Sequence, residues 1–184
     1  MMTNIQTYTD KSALVQSLAK LFHTIESTCI KERGRFSLAL AGGSTPKALY
    51  QYLAESEDFH WDKWHIFFGD ERTVPPDDED SNYRMANETL LSKVPIPENQ
   101  VHRMQGELDP TVAAEAYEQV LKDVFGGDSF PRLDLILLGM GDDGHTASLF
   151  PHTAAIHESE KWVVAHYVEK LDTWRITLTP PVLN

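Results

Sequence analysis

The sequence predicts an α/β fold in which a doubly wound, mainly parallel sheet is flanked by helices. Three observations carry this expectation. Short apolar runs suited to strands alternate with longer segments whose apolar residues recur at helical spacing. Three of the runs lead at once into glycine-containing loops, AGGST at 41–45, FGDER at 68–72 and GMGDDGH at 139–145. The run before the last loop, 133–138, is almost continuously apolar, as a strand covered on both faces requires. With 184 residues and no repeat, low-complexity tract or linker, the chain reads as a single domain spanning 1–184.

The first helix is expected from Asp10 to Arg33, where Leu14, Leu18, Leu21, Phe22, Ile25 and Cys29 make one apolar stripe. Thr9 or Asp10 caps its start and Gly34 stops its end. FSLALA (36–41) is a strand entering GGSTP, and Pro46 opens the helix PKALYQYLAE. WHIFF (64–68) is a second strand; it runs into an acidic loop, and helical spacing resumes from Ser81 through Tyr83, Ala86, Leu90 and Leu91. VHRM (101–104) is a third strand. Asp109 and Pro110 have N-cap and N1 chemistry for a helix striped by Val112, Ala113, Ala116, Tyr117, Val120, Leu121 and Val124, which Gly126 and Gly127 end. After the strand at 133–138, GMGDDGHTASLFP is a loop entering a short helix, and WVVAHY and WRITLT are two later strands. Thr179 and Pro180 begin another helix with only four residues after Pro180, so the sequence is expected to end inside its fold.

Composition narrows the function. Sixteen Lys and Arg stand against 28 Asp and Glu, a net charge of −12 that repels phosphate backbones, so nucleic acid is not an expected partner. Much of the excess is local, in GDERTVPPDDED, where Arg72 is the only cation. Cys29 is the only cysteine and sits on the apolar face of the first helix, which makes it a small buried side chain without a catalytic role. No basic stretch followed by an apolar run marks a signal peptide and no run approaches membrane-span length, so a cytoplasmic protein without a membrane partner is expected. Oligomeric state is not readable.

The three loops follow strands, and loops leaving the carboxyl ends of parallel strands converge on one ligand crevice. In GGSTP, Gly42 and Gly43 let the backbone approach a ligand, Ser44 and Thr45 offer hydroxyls, and a helix N-terminus favours an anion such as phosphate. The alternative is an ordinary turn capped by Ser44 or Thr45. The loop lacks a P-loop lysine and the third glycine of a dinucleotide fingerprint, which disfavours nucleotides. Arg72 suits bidentate contact with phosphate or carboxylate, or else pairs with Asp70 or Glu71. The run Asp77–Asp80 is most simply a solvated loop.

His145, after Asp143 and Gly144, is the strongest candidate for a general base, because imidazole titrates near neutral pH. Asp142 or Asp143 could orient it, although capping of the following helix is the preferred role for Asp143. The other histidines, His23, His60, His65, His102, His152, His157 and His166, show no HxxxH or HExxH spacing and have no cysteine partners, so no metal is expected. Ser148 lies in TASLF and not in a GxSxG elbow, which argues against a serine hydrolase.

Taken together, LALAGGSTPKALY, FFGDERTVPPDDEDSNYRMANETLL, LDLILLGMGDDGHTASLFP and WRITLTPPVLN resemble the 6-phosphogluconolactonase family over about residues 35–184. The glucosamine-6-phosphate deaminases, on a related Rossmann-like fold, share the GSTP and DGH loops. They differ by an MDEY-type motif after the second strand and by a phenylalanine, asparagine and glutamate after the DGH; here the text reads GDERTVP and HTASLFP. The resemblance implies hydrolysis of 6-phospho-D-glucono-1,5-lactone to 6-phospho-D-gluconate, a step of the pentose phosphate pathway, without metal or organic cofactor. It implies His145 as the base that activates water. It further implies that Gly42, Gly43, Ser44, Thr45, Asp70, Arg72 and Gly141 bind the sugar and its phosphate.

Related proteins continue past LTPPVLN with a Gly and Lys motif that supplies a basic group. The 184-residue sequence is therefore expected to lack one phosphate contact and to have an incompletely covered sheet, weakening substrate binding about 10- to 150-fold. Two alternatives follow: a glucosamine-6-phosphate deaminase/isomerase, or a catalytically weak sugar-phosphate-binding protein.

Overall fold

The computed structural model describes residues 4–127 and 129–184. Helix α1 (Lys11–Arg33) starts where Asp10 accepts a hydrogen bond from the Ala13 N–H at 2.8 Å and stops at Gly34, whose φ of 72° suits glycine. Its buried positions are Val15, Ala19, Phe22, Glu26 and Cys29, a stripe centred on Phe22. Leu21, expected inside, is 48% exposed because it lies about 100° around the helix from that centre. Glu26 is fully buried, and its Oε1 accepts from the His60 N–H at 2.7 Å and the Trp64 indole N–H at 2.9 Å.

Strands β1 (Phe36–Leu40) and β2 (Trp64–Phe68) pair in parallel along their whole length, and β4 (Leu135–Ile136) joins the other side of β1. The strand alternation sorts side chains into two cores. Phe36, Leu38, Leu40, Ile66 and Phe68 pack with α1 and with α2 (Ser44–Ala54). Ala39, Phe67 and Ile136 face the other way, toward α4 (Pro110–Phe125) and a second sheet. The parallel sheet is thus covered on both faces at β1 and β2, as the α/β expectation required, and less completely at β4.

The second sheet was not expected. It is antiparallel, in the order β3 (Asp70–Arg72), β6 (Thr173–Leu178), β5 (Val163–Val168). The DER of FGDER is therefore a strand and not a loop: Asp70 pairs with Thr177, Glu71 with Ile176 and Arg72 with Arg175. VHRM is not a strand. Only Val101 bridges to Ile66, and His102 N–H donates to the Ile66 carbonyl at 2.8 Å before a turn at Gly106 ends the pairing. The run 133–138 shortens to the two residues of β4, which are half-buried because β4 is an edge strand, and Leu138 is 46% exposed.

Three helical details also differ from expectation. Helix α2 begins two residues before Pro46, with Gly43 (φ 103°) at its N-cap, so Ser44 and Thr45 form its first turn and do not cap it. No helix starts at Thr146, where Ala147 adopts φ 47° and a Thr146–Leu149 bridge closes a tight turn; the short helix after this loop is a single 3₁₀ turn at Ala154–His157. In α4, Asp109 caps through the Thr111 and Val112 N–H groups as expected, while Val112 itself is 52% exposed and Ala114 takes a buried place. Ser81 caps α3 (Asn82–Ala86), which runs on into a π turn at Asn87–Leu91. The last element, α5 (Pro180–Leu183), starts after Thr179, whose hydroxyl donates to the Lys161 carbonyl at 2.6 Å.

Candidate active site

The loops after β1, β2 and β4 open on one side of the parallel sheet and enclose a cleft of about 220 Å³. Buried tyrosines hold two of these strand ends. Tyr50 hydroxyl accepts from the Ala41 N–H and donates to the Ala41 carbonyl, both at 2.9 Å. Tyr117 does the same for Phe68, at 2.8 and 3.3 Å. Burial pushes both phenols well above their ordinary pKa, so they remain neutral donors and acceptors.

Gly42, Gly43, Asp70, Arg72, Gly141 and His145 all line this cleft, together with Asn82 and Ala147. Ser44 and Thr45 do not line it; they occupy the first turn of α2 beside Gly43. Two glycines are dictated by neighbours: a Cβ on Gly42 would collide with the Asn82 amide, and one on Gly141 with the His145 imidazole.

Asp70 is the half-buried acid of the cleft. Its Oδ2 accepts from the Ser148 hydroxyl at 2.6 Å and its Oδ1 from the Asn82 amide at 3.3 Å. Burial raises its pKa, against the Ser148 hydrogen bond and the charges of Arg72, Arg175 and His145. Glu71, buried behind it, accepts the Asn82 and Tyr83 N–H groups at 2.8 Å each and so anchors the start of α3; burial raises its pKa too. Arg72 pairs with neither acid. Its guanidinium donates to the Asp80 carbonyl and stays in the cleft lining.

His145 stacks on Phe150 with ring centroids 4.2 Å apart. Its Nδ1 lies 2.5 Å from Asp143 Oδ1, and Lys170 Nζ lies 2.9 Å from Asp143 Oδ2. Asp143 therefore orients the imidazole, and the capping role preferred from the sequence is corrected, since no helix is there to cap. Lys170 first and His145 second hold the Asp143 carboxyl well below the usual carboxylate range. An ionised Asp143 only accepts, so Nδ1 carries a proton, and in the neutral imidazole the lone pair lies on Nε2.

Four residues escaped the sequence reading. Asn82 and Ser148 fix Asp70, and Lys170 fixes Asp143. Arg175 stands opposite Arg72 across the antiparallel pair, and burial and then the Arg72 charge lower its pKa. Of these, the sequence offers Ser148 only as a nucleophile, and Arg175 leaves a trace in the text as a charge inside an otherwise strand-like run. Among the described residues no group of three or more His, Cys, Asp or Glu is placed to hold a metal ion, and no helix is long and apolar enough to cross a membrane.

Comparison with known proteins follows the same lines. Residues 9–184 match the family model of glucosamine-6-phosphate isomerases/6-phosphogluconolactonase. The chain is 43% identical over 187 aligned residues to a 6-phosphogluconolactonase of Nostoc sp., covering all of this chain and 77% of that protein. It is 45% identical to a probable chloroplastic 6-phosphogluconolactonase 3 of Oryza sativa subsp. indica, covering 93% of this chain and 56% of that protein. Among solved structures, a 6-phosphogluconolactonase from Trypanosoma cruzi superposes with a TM-score of 0.87 at 32% identity, over 98% of this chain and 76% of that one.

Proposed function

This chain belongs to the family of glucosamine-6-phosphate isomerases and 6-phosphogluconolactonases, and on that premise we propose that it hydrolyses 6-phospho-D-glucono-1,5-lactone to 6-phospho-D-gluconate in the cleft between the three loops. The observation that carries the mechanism is His145, held by Asp143 at 2.5 Å in the same cleft as Asp70 and Arg72.

With Nδ1–H committed to Asp143, Nε2 is the free base. It takes a proton from water as the oxygen attacks the lactone carbonyl, and Asp143 stabilises the imidazolium that forms. Such a base contributes roughly 10²- to 10⁴-fold. The tetrahedral intermediate collapses by breaking the bond from the carbonyl carbon to the ring oxygen, which takes the proton back from His145. The product is a carboxylic acid, ionised at neutral pH.

Binding falls to the other loops. Asp70, acceptor-only when ionised, suits the sugar hydroxyls. Arg72 and the backbone at Gly42 and Gly43, at the start of α2, suit the phosphate. Ser44 and Thr45 would reach that phosphate only from the first turn of α2. Gly141 contributes by leaving room for the imidazole. This chemistry requires no metal, so activity should survive exhaustive chelation. We place the protein in the cytoplasm on its single, buried, unpaired cysteine, which cell fractionation would check. The related proteins carry lactonase names, and neither the deaminase nor the binding-only reading is retained.

The test is acid release from fresh lactone at constant pH, corrected for spontaneous hydrolysis, by the parent chain and by His145→Ala. The expected result is enzyme-dependent release that falls at least 100-fold in the variant while its melting temperature is kept. A folded parent no faster than background, or an unimpaired variant, overturns the assignment.

A further inference from the structure

We propose that Lys170 is a positioning residue for His145, acting through Asp143; this rests on the reading of His145 as the base. Lys170 comes from the turn between β5 and β6, 27 residues beyond Asp143, and the second sheet thereby reaches into the loop that carries the base. Asp143 without Lys170 is a weak anchor, held locally by the long 3.3 Å hydrogen bond from the His145 backbone N–H to Oδ1. It sits two residues from His145 on the same loop, between positive-φ Gly144 and a partner it must itself orient. A carboxylate free to rotate about its Cβ–Cγ bond would offer Nδ1 either oxygen or neither. Lys170 removes that freedom by taking Oδ2 at 2.9 Å while Oδ1 receives the imidazole N–H.

The turn that presents Lys170 is itself braced. Asp172 adopts φ 49° directly after it, and the Tyr167 hydroxyl donates to the Asp172 carboxylate. The Tyr167 ring packs edge-on against Trp174 across the hairpin, with centroids 5.9 Å apart. The Lys170 side chain is itself 67% exposed, and it is the hairpin end beneath it that is built.

Two consequences are separable. Orientation acts on turnover, because a misaligned base loses near-attack geometry whatever its pKa. Charge acts on basicity. The charged groups around the imidazole are Asp143 on its own loop, Asp70 on β3, Arg72 in the same cleft and Lys170. The Lys170 ammonium stands on the far oxygen of the carboxylate that faces the imidazole, so it shares that negative charge with the base.

The experiment compares the parent chain with Lys170→Gln and Lys170→Arg. The His145 Cε1–H signal is titrated by NMR, independently of any activity, and kcat and KM are measured across pH. In Lys170→Gln the His145 signal is expected to change its response to pH, and kcat to fall by roughly threefold to tenfold with KM little changed. Lys170→Arg should restore both. An unmoved titration and unmoved kcat in Lys170→Gln overturn the proposal. So does a lower melting temperature with the titration unchanged, which marks a purely structural role. If the parent does not hydrolyse the lactone, the functional reading fails by itself, while the NMR comparison still decides whether Lys170 sets the state of His145.

Discussion

Replacing Asp143 by Asn tests the orientation of the base by hydrogen-bond arithmetic. In the parent, three donors meet the carboxylate: the His145 Nδ1–H at 2.5 Å and the His145 backbone N–H at 3.3 Å on Oδ1, and Lys170 Nζ at 2.9 Å on Oδ2. An amide keeps one acceptor and adds a donor group. The ammonium has no lone pair, so the amide oxygen faces Lys170 and the amide NH₂ faces Nδ1, at the cost of the long 3.3 Å hydrogen bond from the His145 backbone N–H. Imidazole then accepts at Nδ1 and carries its proton on Nε2, where a base needs a lone pair. The expected loss is that of a general base, about 10²- to 10⁴-fold in kcat or roughly 2.7–5.4 kcal/mol of barrier. Asp143→Asn is assayed by lactone hydrolysis at saturating substrate beside a thermal melt. The added control is the double variant Asp143→Asn with Lys170→Gln. Without the ammonium the amide is free to turn its oxygen back to Nδ1, so part of the lost activity should return, a non-additivity that a cycle detects. A kcat for Asp143→Asn within threefold of the parent, or a double variant worse than the product of the two single effects, refutes this account of the tautomer.

Two further outcomes concern the scaffold. Tyr117→Phe leaves the Phe68 N–H, at the end of β2, without its hydroxyl partner inside the core, and should cost about 1–3 kcal/mol, read as a lower melting temperature or denaturant midpoint. An unchanged midpoint would mean that the strand end is held by packing alone. His102 and His65 stack at 5.9 Å, and burial lowers the pKa of both, that of His102 to about 4. The folded His102 then binds fewer protons than the unfolded chain between pH 6.5 and about 4, so its contribution is full above 6.5 and lost as pH falls toward 4. The melting temperature should drop across that window, and less so in His102→Phe, where no imidazole can titrate; equal drops would exclude His102 as the cause.

What the sequence made legible was local. Asp10, Gly34, Asp109 and Ser81 mark helix ends because a cap is chosen by groups within three or four residues. The apolar runs of β1 and β2 and the glycines after them are likewise short-range features, and they led to His145, Asp70 and Arg72. What stayed hidden depends on pairing over long separations. DER looks like a loop until Arg175, Ile176 and Thr177 are placed beside it. VHRM has strand composition, yet it makes one bridge and turns away. Asp143 reads as a helix cap because nothing in GDDGHT announces that Lys170 will arrive from another sheet or that Ala147 will turn left-handed.

The same separation explains how the cleft is built. The parallel sheet decides where the three loops emerge, and Tyr50 and Tyr117 fix the ends of its two longest strands. It does not decide how the chemistry-bearing side chains point. That is the task of the antiparallel sheet. Its β6 strand pairs with β3 and so sets Asp70 and Arg72, while Thr177 on β6 accepts the N–H of Ser148, the residue whose hydroxyl holds Asp70. Its hairpin end carries Lys170 to Asp143 and through it to His145. A substitution in β5 or β6 that left the parallel sheet intact would disturb acid and base together, because both are aimed from the same pair of strands.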